Sequence, residues 1–67
     1  MKISARNQLD ATIKEITKGP VSTEVVLEVG ENIMVASITT TSANSLDLNV
    51  GDNVTALVKA SSVMIMK

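Results

Sequence analysis

Val21-Ser22-Thr23-Glu24-Val25-Val26-Leu27-Glu28-Val29 is the stretch that decides the fold. Val21, Val25, Leu27 and Val29 are apolar while Ser22, Glu24 and Glu28 are polar, a period of two that suits a strand buried on one side and no helix. Thr23 and Val26 blur the alternation. Upstream, Leu9, Ala11 and Ile13 alternate with Asp10, Thr12 and Lys14. The apolar parity then switches to Ile16, which predicts a β-bulge or a strand end near Glu15. Lys18-Gly19-Pro20 lies between the two runs: proline has a fixed φ and no N–H for a ladder, and glycine accepts the conformation of a tight turn. The two runs therefore read as a hairpin, and Gly30-Glu31-Asn32 as the turn that follows it.

Downstream, apolar residues occupy both parities. Ile33 and Val35 stand on one face and Met34, Ala36 and Ile38 on the other, and Val54 to Ala60 and Val63 to Met66 behave alike. A domain too small for two covering layers cannot hide both faces, so one face is expected to meet another subunit. The alternative is a tightly rolled barrel with scattered exposed aliphatics. Between these strands, Thr41-Ser42-Ala43-Asn44-Ser45-Leu46 predicts a short helical turn, with Thr41 or Ser42 as N-cap and Leu46 as its buried anchor. Leu48-Asn49-Val50-Gly51-Asp52 is the turn that launches the last long strand. The expected fold class is all-β: a small five-stranded OB-like Greek-key barrel, one domain over residues 1–67, with one short helix between strands 3 and 4.

Composition agrees with strands and narrows the chemistry. Val, Ile and Thr supply 22 of 67 residues, the β-branched excess of sheet proteins. Cysteine, histidine and all three aromatics are absent. That excludes disulfides, zinc ribbons, iron–sulfur clusters, thiol nucleophiles and imidazole acid–base chemistry, and it removes the stacking platforms of single-stranded nucleic-acid binders. A mean hydropathy of +0.29 with 19% charged residues is too apolar for disorder and gives more aliphatic surface than so short a chain can bury. An oligomer is expected.

The net charge is −1 with no basic run, so neither duplex DNA nor an anionic membrane is an expected partner. No apolar stretch approaches the roughly 20 residues of a membrane span, and Met1 to Arg6 lacks the apolar region of a signal peptide, which predicts a cytoplasmic protein. The acidic residues read as solvent-face or turn positions, no Gly-x-Ser-x-Gly elbow or glycine-rich phosphate loop occurs, and no free metal cation is expected to be held. The chain is not expected to be an enzyme.

Anion binding needs only donors and fixed positive charge, and three segments offer them. Ser4 and Arg6 lie on the same side of an extended segment about 6.5–7 Å apart, a spacing that brackets a small tetrahedral oxyanion between a hydroxyl and a guanidinium. Lys59-Ala60-Ser61-Ser62 joins an ammonium to hydroxyls and turn N–H groups. Thr41 and Ser42 open the short helix.

In order along the chain, Ile3-Ser4-Ala5-Arg6-Asn7-Gln8-Leu9, Lys18-Gly19, Glu24-Val25-Val26, Val54-Thr55-Ala56-Leu57-Val58-Lys59-Ala60-Ser61 and Val63-Met64-Ile65 resemble the Mop domain of the molybdenum-pterin-binding proteins, or molbindins, a TOBE-like family. The resemblance spans essentially the whole chain. It implies a cytoplasmic protein that binds molybdate, and usually tungstate, without changing it chemically and with no catalytic cofactor. It also implies a homohexamer, a trimer of dimers, with pockets between subunits. Carried onto this sequence, the main pocket would take Ser4, Ala5 and Arg6 from one subunit, Lys59, Ala60 and Ser61 from its neighbour, and Ser42 to complete it. Several relatives carry serine at the position of Ala60, so a hydroxyl contact is lost there, while the backbone N–H remains. A second, weaker anion site near a three-fold axis would use Lys18, Gly19, Val21 and Ser22, with no donor from Pro20.

Molybdate is a tetrahedral dianion that offers only acceptors, which matches a donor set without carboxylate; a monoprotonated phosphate would also require an acceptor. The implied role is storage or buffering of the oxyanion. The alternatives are a pterin-cofactor carrier, for which the chain lacks a stacking ring, and a regulatory oligomerisation module that senses the oxyanion.

Overall fold

The computed structural model describes residues 5–67. Four strands and one short helix follow in the order β1 (Asn7–Lys18), β2 (Ser22–Val29), β3 (Asn32–Thr39), α1 (Thr40–Ser45) and β4 (Asn53–Val58), and a 3-10 turn spans Ala60–Ser62. They form one antiparallel sheet in the order β3-β2-β1-β4.

The alternation read in the sequence sets which face is inside. Ala11 and Ile13 of β1 and Val25 and Leu27 of β2 are buried against one another, with Met34, Ala36, Ile38, Val54 and Ala56 partly buried around them. The parity switch in β1 is a bulge: Ile13 pairs Leu27, but Glu15 pairs Val26. The turn before β4 docks on that irregularity. Gly51 donates its N–H to the Ile13 carbonyl at 2.8 Å, and the Ile13 N–H donates to the Asp52 carbonyl at 3.0 Å, so the backbone groups of Ile13 are used by the turn. Gly51 has φ +94°, a conformation in which a side chain would be strained.

Three expectations are corrected. Val63 to Met66 forms no fifth strand; it continues past the 3-10 turn, with Met64, Ile65 and Met66 92%, 94% and 97% exposed. Val63 lies beside Leu9, Met34 and Val58, but none of these residues pairs with a strand. The four strands form one sheet with β3 and β4 at its two ends. The N-cap expected at Thr41 or Ser42 lies instead at Thr39, and the helix begins at Thr40. Thr39 is its N-cap, accepting from the Ser42 N–H at 3.0 Å, and Ala43 is its buried anchor, whereas Leu46 is exposed. A small residue serves as anchor because α1 lies close against the ends of β2 and β3.

The inner face of the sheet is incompletely covered. A groove of about 810 Å³ runs between β3 and β4, lined among others by Ile13, Leu27, Ala36, Leu48 and Ala56. Ile33, Val35 and Leu57 are exposed on the outer face. No helix of the described residues is long and apolar enough to cross a membrane.

Candidate functional site

The pairing of β1 with β4 brings two of the anticipated anion-binding segments together within one chain. Asn7 lies opposite Val58, the last pair of that ladder, so Arg6 just before it and Lys59 just after it flank the pair on neighbouring strand ends. Gln8 with Leu57 and Asp10 with Thr55 take the outer face of the ladder, and Arg6 and Lys59 stand just beyond its last pair. Two cations at neighbouring strand ends repel unless an anion lies between them. Neither is in an ion pair among the described residues, whose one salt bridge joins Lys14 to Glu28 at 3.3 Å.

The 3-10 turn adds donors beside this pair. Ser62 N–H donates to the Lys59 carbonyl at 2.8 Å and Val63 N–H to the Ala60 carbonyl at 3.3 Å, which leaves the N–H groups of Ala60 and Ser61 outside the turn's own bonding. Ala5 is buried, and its carbonyl accepts from the Gln8 side chain at 3.2 Å. Ser4 lies outside the described residues. The resemblance implies a Lys59 from a neighbouring subunit; strand register, which a sequence does not display, also sets Arg6 and Lys59 of one chain at the same end of the sheet.

Ser42 lies elsewhere. It sits on α1 at the opposite end of β1, together with the Lys18–Ser22 turn, so a pocket containing Arg6, Lys59 and Ser42 cannot form within one chain. At that far end Ser22 pairs Thr39, and the Thr39 hydroxyl donates to the Ser42 hydroxyl at 2.8 Å. The Ser42 proton remains available for an acceptor. Thr39 went unnoticed in the sequence; its position three residues before Ser42, at a helix start, is the signal that would have found it.

The helix is bound to the Lys18–Ser22 turn by its first residue. The Thr40 N–H donates to the Val21 carbonyl at 2.8 Å and its hydroxyl to the Gly19 carbonyl at 2.7 Å. That hydroxyl has one proton, so the 2.9 Å contact between Thr23 and Thr40 is a bond donated by Thr23. Thr23 is fully buried, which explains why a polar residue breaks the apolar run of β2. Gly19 donates to the Ser22 carbonyl at 2.9 Å, and a Cβ at Gly19 would lie 2.7 Å from the same oxygen. Lys18 Nζ donates to Asn44 Oδ1 at 3.0 Å. Thr40→Val keeps the shape but strands the Thr23 hydroxyl and the Gly19 carbonyl, and is expected to lower unfolding stability by about 1–3 kcal/mol in urea titration. An unchanged midpoint would show that the hydroxyl chain does not hold this end together.

The chain is similar to known proteins over essentially its whole length. The family model described as the TOBE domain matches residues 3–65. A molybdate binding protein from Sporomusa ovata has a solved structure that superposes with a TM-score of 0.96 at 51% identity, covering 100% of both chains. Molybdenum-pterin-binding protein 2 of Clostridium pasteurianum is 43% identical over 67 residues, covering 98% of each chain. The Molybdenum transport protein ModE of Herbaspirillum seropedicae is 46% identical over 98% of this chain, which spans 25% of that longer protein.

Proposed function

The chain belongs to the TOBE domain family, together with the molybdenum-pterin-binding proteins, and from that premise we propose that it binds molybdate, and tungstate through the same contacts, as an intracellular store or buffer. The observation that supports this reading is the placement of Arg6 and Lys59 just beyond the last β1–β4 pair, with no carboxylate paired to either among the described residues. A tetrahedral dianion relieves the repulsion between the two cations and accepts from both, and from the Ala60 and Ser61 N–H groups, in charge-assisted hydrogen bonds. Ser4 stands two residues before Arg6 and adds a hydroxyl.

Ser42, at the far end of β1, joins this pocket from another copy of the chain. The binding unit is therefore an oligomer, and we assign it the homohexameric form, a trimer of dimers. Two features favour assembly: the apolar groove between β3 and β4, and the unpaired apolar residues Val63 to Met66. The tail of one copy laid into the groove of another supplies a fifth strand and closes a five-stranded OB-like barrel. Lys18, Gly19, Val21 and Ser22 form a second, weaker anion site.

Native mass spectrometry of the full chain, titrated separately with molybdate, tungstate and sulfate, tests the reading. Several molybdates or tungstates are expected on a six-chain assembly at concentrations where sulfate, smaller but of equal charge, is not retained. A monomer without bound oxyanion, or equal retention of sulfate, would overturn it. A pterin that copurified with the protein and carried its fluorescence would instead establish the cofactor-carrier reading.

A further inference from the structure

The structure assigns Asn44 as the positioning residue of the second anion site: its side-chain amide holds the Lys18 ammonium in place while leaving the ammonium's charge free for an oxyanion. This inference rests on the proposed role of Lys18, Gly19, Val21 and Ser22. Lys18 Nζ donates to Asn44 Oδ1 at 3.0 Å, a contact that ties the end of β1 to α1. Only the amide oxygen can accept from an ammonium, so Nδ2 points elsewhere as a further donor, and it has no other hydrogen bond among the described residues. The ammonium keeps two of its three N–H groups uncommitted.

Asn44 serves no purpose for the helix that would account for it. The helix is capped by Thr39, and its C-terminal bonds use the Asn44 backbone carbonyl, which accepts from the Asp47 N–H at 3.1 Å. Asparagine is also a poor residue for a helix interior, where its side chain competes with the backbone. Its neutrality is the useful property. Lys14 is paired with the carboxylate of Glu28, whereas Lys18 meets an amide that orders it without neutralising it. The Thr40 bonds to Gly19 and Val21 fix the turn that follows Lys18, and Lys18 itself pairs Thr23 at the end of the β1–β2 ladder, so the backbone from which the side chain reaches Asn44 is set. Holding a long side chain before the anion arrives removes part of its rotamer loss from the binding step.

Asn44→Asp and Asn44→Ala separate this role from a structural one. Aspartate keeps an acceptor for Lys18 and strengthens the contact, so a mere strut would tolerate it. Here it is expected to abolish filling of the second class of sites by sodium molybdate in native mass spectrometry, with the thermal midpoint retained and the first class of sites filled as before. Alanine keeps the charge but frees the lysine, and is expected to weaken that class about 3- to 10-fold. Lys18→Met serves as the control for the underlying reading. If Lys18→Met leaves every molybdate in place, the second site itself is wrong. If Lys18→Met empties the second class while Asn44→Asp fills it like the parent chain, the site stands and the role of Asn44 is overturned.

Discussion

Truncation after Ser62 is expected to yield a chain that neither assembles nor retains molybdate. The five residues removed include Val63, Met64, Ile65 and Met66, which are more than half exposed and pair with no strand in their own chain. Burying an aliphatic side chain of this size contributes about 1.5–3 kcal/mol. In the proposed assembly, four of them per subunit would be a large share of what holds a domain of 67 residues together. Without them the groove between β3 and β4 stays open and both sheet edges stay unpaired. Light scattering should read a monomer or a loose aggregate in place of a discrete oligomer, and calorimetry should read no high-affinity molybdate. Ile65→Asp, which retains chain length, should act in the same direction by placing a charge in an apolar groove. An intact hexamer that binds molybdate after truncation would eliminate the tail as the joining element.

Arg6→Ala and Lys59→Ala are each expected to weaken molybdate binding by about 100-fold, corresponding to roughly 2.7 kcal/mol. Each removes one charge-assisted partner of a dianion held in a partly desolvated pocket, where such bonds contribute about 1.5–3 kcal/mol. The protein without ligand should respond in the opposite sense. Since Arg6 and Lys59 both adjoin the last β1–β4 pair, removing either lowers the like charge at that end, and the thermal midpoint in the absence of oxyanion should be unchanged or higher. The rise in midpoint that molybdate gives the parent chain, which follows the logarithm of ligand concentration over Kd, should largely vanish. Arg6→Lys keeps the charge and loses the planar fork, so its loss should be smaller. Normal affinity in both alanine variants, with the oligomer intact, would show that the oxyanion binds elsewhere.

Much of the local structure was legible because it depends on neighbours in sequence. The alternation of β2, the parity switch at the β1 bulge, the Lys18-Gly19-Pro20 turn and a helix after β3 all follow from residues a few positions apart. The misreadings involve partners far along the chain or outside it. Thr23 interrupts an apolar run because the hydroxyl of Thr40, 17 residues on, accepts its bond. Leu46 was the obvious apolar anchor for α1, but close packing of the helix selects the smaller Ala43. Val63 to Met66 carries the composition of a strand, and nothing in the sequence says whether its partner belongs to the same molecule. The candidate site divides in the same way. Arg6, Lys59 and Ser42 could be named from residue chemistry, but their grouping depended on strand register and on which end of β1 each occupies.

That strand also governs how two bound charges interact. β1 has 12 residues, about 3.3 Å of rise for each, with Arg6 just before its start and Lys18 its last residue, so the two are some tens of ångströms apart along the strand. Fields in physiological salt decay over about 8 Å, several times less than that distance. Within a chain, a dianion at one end is electrically invisible to the other end. An oxyanion at the proposed Lys18 site would therefore feel little from the Arg6 end of its own chain, and repulsion would come instead from the pocket that Ser42 beside it completes in another copy.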